Sequence, residues 1–138
     1  MIDSRKLEDC IEQIQQRYKL LKMEYELGHV GNKLFITCTY RSIESQKKAF
    51  AVGRDANGNI IDKNKIITNC DGIIKKSRHN YYKAQALDFG IISFGKISWR
   101  EQDFREVGEL AIKYGLVWGI KLSKNSIDLP HLQWRVLI

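Results

Sequence analysis

The chain has 138 residues, 43% of them hydrophobic and 28% charged. That fits one globular domain with its own core and excludes wholesale disorder, and no run approaches the roughly 18 apolar residues of a membrane helix. Lys and Arg number 23 against 16 Asp and Glu, a net charge of +7 that favours a polyanionic partner (nucleic acid, anionic lipid or an anionic cell wall) without choosing among them.

The N-terminal stretch MIDSRKLEDC mixes acids and bases. It has no apolar h-region, so no signal peptide is expected and synthesis is expected to leave the chain in the cytoplasm. Residues 4–24 predict an amphipathic helix, with Leu7, Cys10, Ile11, Ile14, Tyr18 and Leu21 on one face and Asp3 or Ser4 as its cap. Lys33–Tyr40 is short, β-branched and aromatic, and predicts a strand. Ile43–Val52 predicts a helix capped by Ser42 and stopped by Gly53. Residues 54–76 are irregular, with turn dipeptides at Asn57-Gly58 and Asp71-Gly72 and a short hairpin expected between them.

Ala86–Ser93 predicts a second strand. Ser98–Tyr114 predicts a helix opened by a Ser98–Glu101 capping box and closed by Gly115. Leu116–Gly119 and His131–Val136 predict the closing strands. Helices and strands do not alternate strictly, so the expected fold is α+β, a small antiparallel sheet packed with about three helices. Cys10, Cys38 and Cys70 are odd in number and form no CxxC. They read as small buried hydrophobes in a reducing compartment, and none as a nucleophile.

Three histidines are present, and two sit near carboxylates. Ser77-Arg78-His79 precedes Ala86-Leu87-Asp88-Phe89. In a strand, Asp88 points away from Leu87 and Phe89 and is flanked on its own face by Ala86 and Gly90, which leaves open space around the carboxylate. An acid in an apolar strand is costly without a partner, and a metal is one such partner. In Asp128-Leu129-Pro130-His131-Leu132-Gln133-Trp134, His131 and Gln133 share one strand face, and Asp128 lies on the turn before it. Two imidazoles and a carboxylate are thus available as ligands, with a second carboxylate left over. Three protein ligands and one open position is the pattern of catalytic zinc, and the spare carboxylate can take a proton from the activated water. The reaction class would be metal-assisted hydrolysis of an amide. A surface His–Asp pair or a satisfied core histidine reads equally from such fragments, and spacing alone does not decide. Arg41, directly after the first strand, can stabilise an oxyanion, hold a substrate carboxylate or form an ordinary salt bridge. His29, in Gly28-His29-Val30-Gly31, reads as structural or solvent-exposed.

Taken in order, these stretches resemble the D-alanyl-D-alanine metallopeptidase family, whose zinc core is shared with sonic hedgehog and lysostaphin-type enzymes. They are most similar to small phage endolysins that cut the L-alanyl-D-glutamate bond of peptidoglycan. Thr37-Cys-Thr-Tyr-Arg41-Ser42, with Glu44 and Gln46, resembles the family's T-x-x-[YF]-R-S-x-x-x-Q stretch. Gly53-Arg54, Ile67-Thr-Asn69, Ser77-Arg-His79 with Ala86-Leu-Asp88, Gly115-Leu-Val-Trp118-Gly119 and Asp128-Leu-Pro-His131-Leu-Gln133 follow in the family's order. The likeness runs from about Phe35 to Trp134. Between His79 and Ala86 the chain is two residues longer than the compact motif and lacks its glycine.

The resemblance implies that His79, Asp88 and His131 bind Zn2+, that Asp128 is the general base and that Arg41 stabilises the oxyanion. Ser77 and Gln46 would contact substrate, with Tyr81, Tyr82 and Lys83 as further cleft candidates. It implies a single catalytic domain over residues 1–138 with no separate wall-binding domain. The protein would be a monomer that acts on peptidoglycan, needs no nucleic acid and makes no stable membrane insertion. It would reach the wall from the host cytoplasm through a holin pore and lyse the cell. A D-alanyl-D-alanine carboxypeptidase or dipeptidase would use the same zinc site. A hedgehog-like binding module with a degenerate site is disfavoured because all four acidic and imidazole positions are filled. A nucleic-acid binder is disfavoured because no Lys/Arg block exceeds two residues and no known recognition spacing occurs.

Overall fold

Apolar residues spaced three and four apart bury one face of the longest helix, α1 (Glu12–Gly28), through Ile14, Tyr18, Leu21 and Tyr25. The computed structural model describes residues 2–119, 121–123 and 126–138. Helix α1 starts later than the periodicity predicts. Leu7–Asp9 forms a 3-10 turn, and Cys10 leaves the helix to bridge Ala84 in parallel fashion. The expected caps are engaged elsewhere. Ser4 Oγ donates to Asp9 at 2.5 Å, and Asp3 Oδ1 accepts the Ser42 N–H at 2.7 Å, bracing the start of the next helix instead.

Strand β1 (Asn32–Cys38) leads to α2 (Ile43–Ala51), where Ser42 Oγ accepts the Ser45 N–H as anticipated. The hairpin expected between the two turn dipeptides is not formed. Among the described residues that stretch holds a 3-10 turn at Lys63–Lys65, and an isolated Arg54–Ile60 bridge closes around Asn57-Gly58. Strands β2 (Ala86–Ser93) and β3 (Lys96–Ser98) precede α3 (Glu101–Lys113). The predicted Ser98–Glu101 capping box is absent, because Ser98 is paired with Ile91 in the sheet and its hydroxyl donates to Asp103 at 2.7 Å. At the other end α3 stops as the sequence predicts. Gly115 adopts φ +90°, with Gly115 N–H to Ile112 O and Leu116 N–H to Ala111 O, the paired bonds of a Schellman motif.

The chain closes with β4 (Val117–Trp118), β5 (Lys121–Ser123), β6 (Ser126–Ile127) and β7 (His131–Gln133). The main sheet has five strands in the order β1-β2-β7-β4, with β3 also on β2, and β5 and β6 form a separate ribbon. Every strand pair among the described residues is antiparallel. The fold is therefore α+β, three helices with a small antiparallel sheet. No described helix is long and apolar enough to cross a membrane.

One sheet face is the core. Leu34, Leu87, Phe89, Ile91 and Leu132 pack there with the apolar faces of α1 and of α3, the latter supplying Phe104, Val107 and Ala111. Each large side chain buried this way contributes about 1.5–3 kcal/mol. The alternate residues of β2 (Asp88, Gly90 and Ile92) face the other way, and Asp88 and Ile92 are only partly buried.

Candidate metal centre

The register of three strands sets the site. Cys38 of β1 lies opposite Asp88 of β2, and Asp88 lies opposite His131 of β7. Residues paired across antiparallel strands share a face, so Cys38, Asp88 and His131 form a row on the non-core side of the sheet. Asp88 and His131 of this row border an open cleft of about 380 Å³, lined also by Arg41, Ser77, His79 and Asp128.

His79 is brought to this row by a stitched loop. Ser77 caps the 3-10 turn Arg78–Asn80, accepting the His79 N–H on its hydroxyl, while Asn80 returns a bond to the Ser77 N–H. The turn is tied to the end of β1 by Arg41 N–H to His79 O at 2.8 Å and by Asn80 Nδ2 to Arg41 O at 3.0 Å. The ring itself is fixed by Nδ1–H donating to Thr39 O at 2.7 Å, which leaves Nε2 facing Asp88 Oδ1 at 3.2 Å.

His131 mirrors this arrangement. Its Nε2 lies 2.9 Å from Gln133 Oε1, so Nε2 carries the proton and Nδ1 faces the same Asp88 oxygen at 3.2 Å. The turn before it is held on both sides. Trp118 Nε1 donates to Leu129 O at 2.8 Å, and Phe89 N–H donates to Pro130 O at 3.0 Å.

Two imidazole nitrogens, each with its second nitrogen bonded to an oxygen acceptor, thus converge on one carboxylate oxygen. A neutral imidazole offers that oxygen a lone pair, which repels it unless a proton or a cation lies between. Two ligand atoms about 2.0–2.1 Å from a shared tetrahedral ion sit roughly 3.3 Å apart, close to both 3.2 Å separations. Nδ1–H to Thr39 and Nε2–H to Gln133 orient the two rings, as such bonds do for histidines that bind metals. Asp88, Asp128 and His131 form one group whose donor atoms lie within 4.8 Å of one another, and Cys38, His79 and Asp88 form another, so the two histidines fall in different groups that share Asp88. Either group could hold a metal ion.

The protonation energetics agree. Burial opposes a charge on His79, but the charge and hydrogen bond of Asp88 outweigh it and push the imidazole up to about 10. Burial likewise opposes ionisation of Asp88, and the two histidines overcome it, holding the carboxyl well below its usual range. In the metal-free protein a proton therefore occupies a position that a cation can take. Asp128 behaves oppositely. Burial and then the Asp88 charge push its carboxyl upward, more than His131, His79 and Arg41 pull it down. It is a carboxylate with raised basicity beside the donor row.

Arg41 reaches over the cleft, with Nη2 3.5 Å from Asp88 Oδ2 and Nη1 donating to Gln46 Oε1 at 3.1 Å. Ser77 lines the cleft, though its hydroxyl is engaged in the turn cap. Gln46, expected to contact substrate, is committed to neighbouring groups of the protein. Its side chain is fully buried and spent on Arg41, Thr68, Cys70 and Asn80, so it positions Arg41. Tyr81, Tyr82 and Lys83 are not among the residues lining the cleft; Tyr82 bonds Asp9. His29 is structural, stacked on Tyr25 and 2.6 Å from Glu106. Cys38 was missed as a neighbour of the donors. The signal is a bulge between Ile36 and Cys38, which spacing in the sequence does not reveal. Comparison with protein-family models and with curated proteins finds no match to this chain.

Proposed function

We propose that the protein is a zinc-dependent peptidoglycan endopeptidase of the endolysin type, hydrolysing the L-alanyl-D-glutamate bond of the stem peptide. The convergence of His79 Nε2 and His131 Nδ1 on Asp88 Oδ1, in an open cleft with a second, more basic carboxylate beside it, carries this reading. His79, Asp88 and His131 would hold the ion, which when bound supplies the Lewis acidity that makes water nucleophilic at neutral pH. Asp128 accepts the proton of the attacking water and later delivers it to the leaving amine. Its raised basicity suits it to both transfers. Arg41, held by Gln46 from behind, directs its guanidinium at the negative charge that develops on the carbonyl oxygen. Thr39 O and Gln133 keep the two imidazoles in the tautomers that present lone pairs to the site.

The wall as substrate is supported by the ordered likeness from Phe35 to Trp134 and by the +7 charge, which draws the protein to an anionic polymer. The test is incubation with purified peptidoglycan, with and without a chelator, and mass spectrometry of the new termini. Chelator-sensitive appearance of L-alanine C-termini and D-glutamate N-termini is expected. Release of D-alanine alone would move the enzyme to the carboxypeptidase class, and an unchanged wall would refute the proposal.

A further inference from the structure

We infer that Cys38 is a fourth protein donor to the metal at this site, a thiolate on the β1 side of Asp88. The inference rests on the metal reading above and extends it. Regular alternation along β1 would put Thr37 opposite Asp88, since Leu34, Phe35 and Ile36 pair with Ile91, Gly90 and Phe89 in turn. The bulge between Ile36 and Cys38 advances the strand by one residue and sets Cys38 opposite Asp88 instead. Sulfur, imidazole nitrogen and carboxylate oxygen of Cys38, His79 and Asp88 all lie within 4.8 Å of one another. A thiolate sharing a tetrahedral ion with nitrogen or oxygen ligands lies roughly 3.6 Å from them. The remaining distance, on the order of 1 Å, is smaller than the swing of a sulfur between χ1 rotamers.

The thiol's contacts to backbone oxygens, 3.9 Å to Thr39 O and 4.0 Å to Tyr40 O, are at the weak limit for sulfur, and its side chain also bonds that of His79. Cys38 and His131 flank Asp88 on opposite neighbouring strands, and Asp128 groups with His131, not with Cys38. Zinc accepts a fifth ligand, so a thiolate on the β1 side leaves the Asp128 side open. On coordination the Cys38 sulfur gives its lone pair to the ion and its proton to solvent. A soft sulfur selects zinc, cobalt or cadmium over magnesium, calcium or manganese.

The test loads the metal-free protein with one equivalent of Co(II) and records its absorption. The expected result is visible d–d bands together with a near-ultraviolet thiolate-to-cobalt charge-transfer band. Cys38→Ser should keep one cobalt and its visible bands but lose the charge-transfer band, and its zinc affinity should fall at least about tenfold, the floor for losing even an outer-shell partner. Cys70→Ser, which removes the thiol of a residue that lines the cleft, should keep the band. Bound cobalt with visible bands but no thiolate band in the wild type, or a band that survives Cys38→Ser, would overturn the inference while leaving the metal site standing. Failure to bind cobalt at all would overturn both.

Discussion

Gln46 Oε1 accepts a hydrogen bond from Arg41 Nη1 at 3.1 Å while its own Nε2 donates to Cys70 O at 2.8 Å. One buried amide therefore ties the cleft arginine to the irregular segment that follows α2. Gln46→Ala leaves a guanidinium N–H, the Cys70 carbonyl and the Asn80 amide short of a partner. It should cost about 1–3 kcal/mol in urea unfolding and lower kcat more than it raises KM, because Arg41 loses its aim. Unchanged kcat in a stably folded Gln46→Ala protein would show that Arg41 does not depend on this bond.

Asp128 is opposed by burial and by Asp88, so it is a cost to the folded state at neutral pH. Asp128→Asn should raise the melting temperature of the metal-free protein at pH 7. It should also lower wall hydrolysis by about 10²–10⁴-fold, the usual contribution of a general base, while metal content is retained. Melting and turnover measured on one preparation check both halves.

The His79–Asp88 pair gives the metal-free protein a pH signature. His79 binds its proton more tightly in the folded state, its pKa rising from 6.5 to about 10. The stabilisation is complete below pH 6.5 and is lost as pH rises through about 10. Asp88 is shifted down from 3.8, so its side of the same pair is present above pH 3.8 and fades as pH falls below it. In chelator, the melting temperature should hold between these limits and decline from pH 6.5 toward 10. Asp88→Asn should flatten that decline, and a wild-type curve with no such slope would contradict the pairing.

Gly108 on α3 lies under Trp118, and a Cβ added there would clash with the indole ring. Trp118 Nε1 holds Leu129 O, inside the turn from Asp128 to His131. Gly108→Ala should cost about 1–3 kcal/mol through overpacking and reduce kcat by displacing that turn, although position 108 is in a helix outside the cleft lining. Equal stability and activity would mean the indole is free to move.

Much of the site was legible because its residue types have no place in an ordinary core. Asp88 stands between Leu87 and Phe89 in a strand, and Asp128 and His131 bracket a proline. The strand period alone then puts Asp88 on the open face. Helix ends were less legible, since polar residues near them have tertiary partners that local spacing does not show. Asp3 serves Ser42, Ser4 serves Asp9, and Ser98 is part of β3. The burial of Gln46 is not legible in the sequence, because a buried amide and a substrate-binding amide look alike there. Cys38 reads in sequence as a small hydrophobe, because the bulge that sets it opposite Asp88 depends on strand pairing, not on local propensity.

Zinc retained per chain after equilibrium dialysis of the metal-free protein tests the central claim most directly. One ion per chain is expected for the wild type, with loss of stoichiometric binding in the double variant His79→Ala/His131→Ala and retention in Asp128→Asn. A wild-type chain that retains no zinc, or a double variant that retains one equivalent, would contradict the assignment of this donor set.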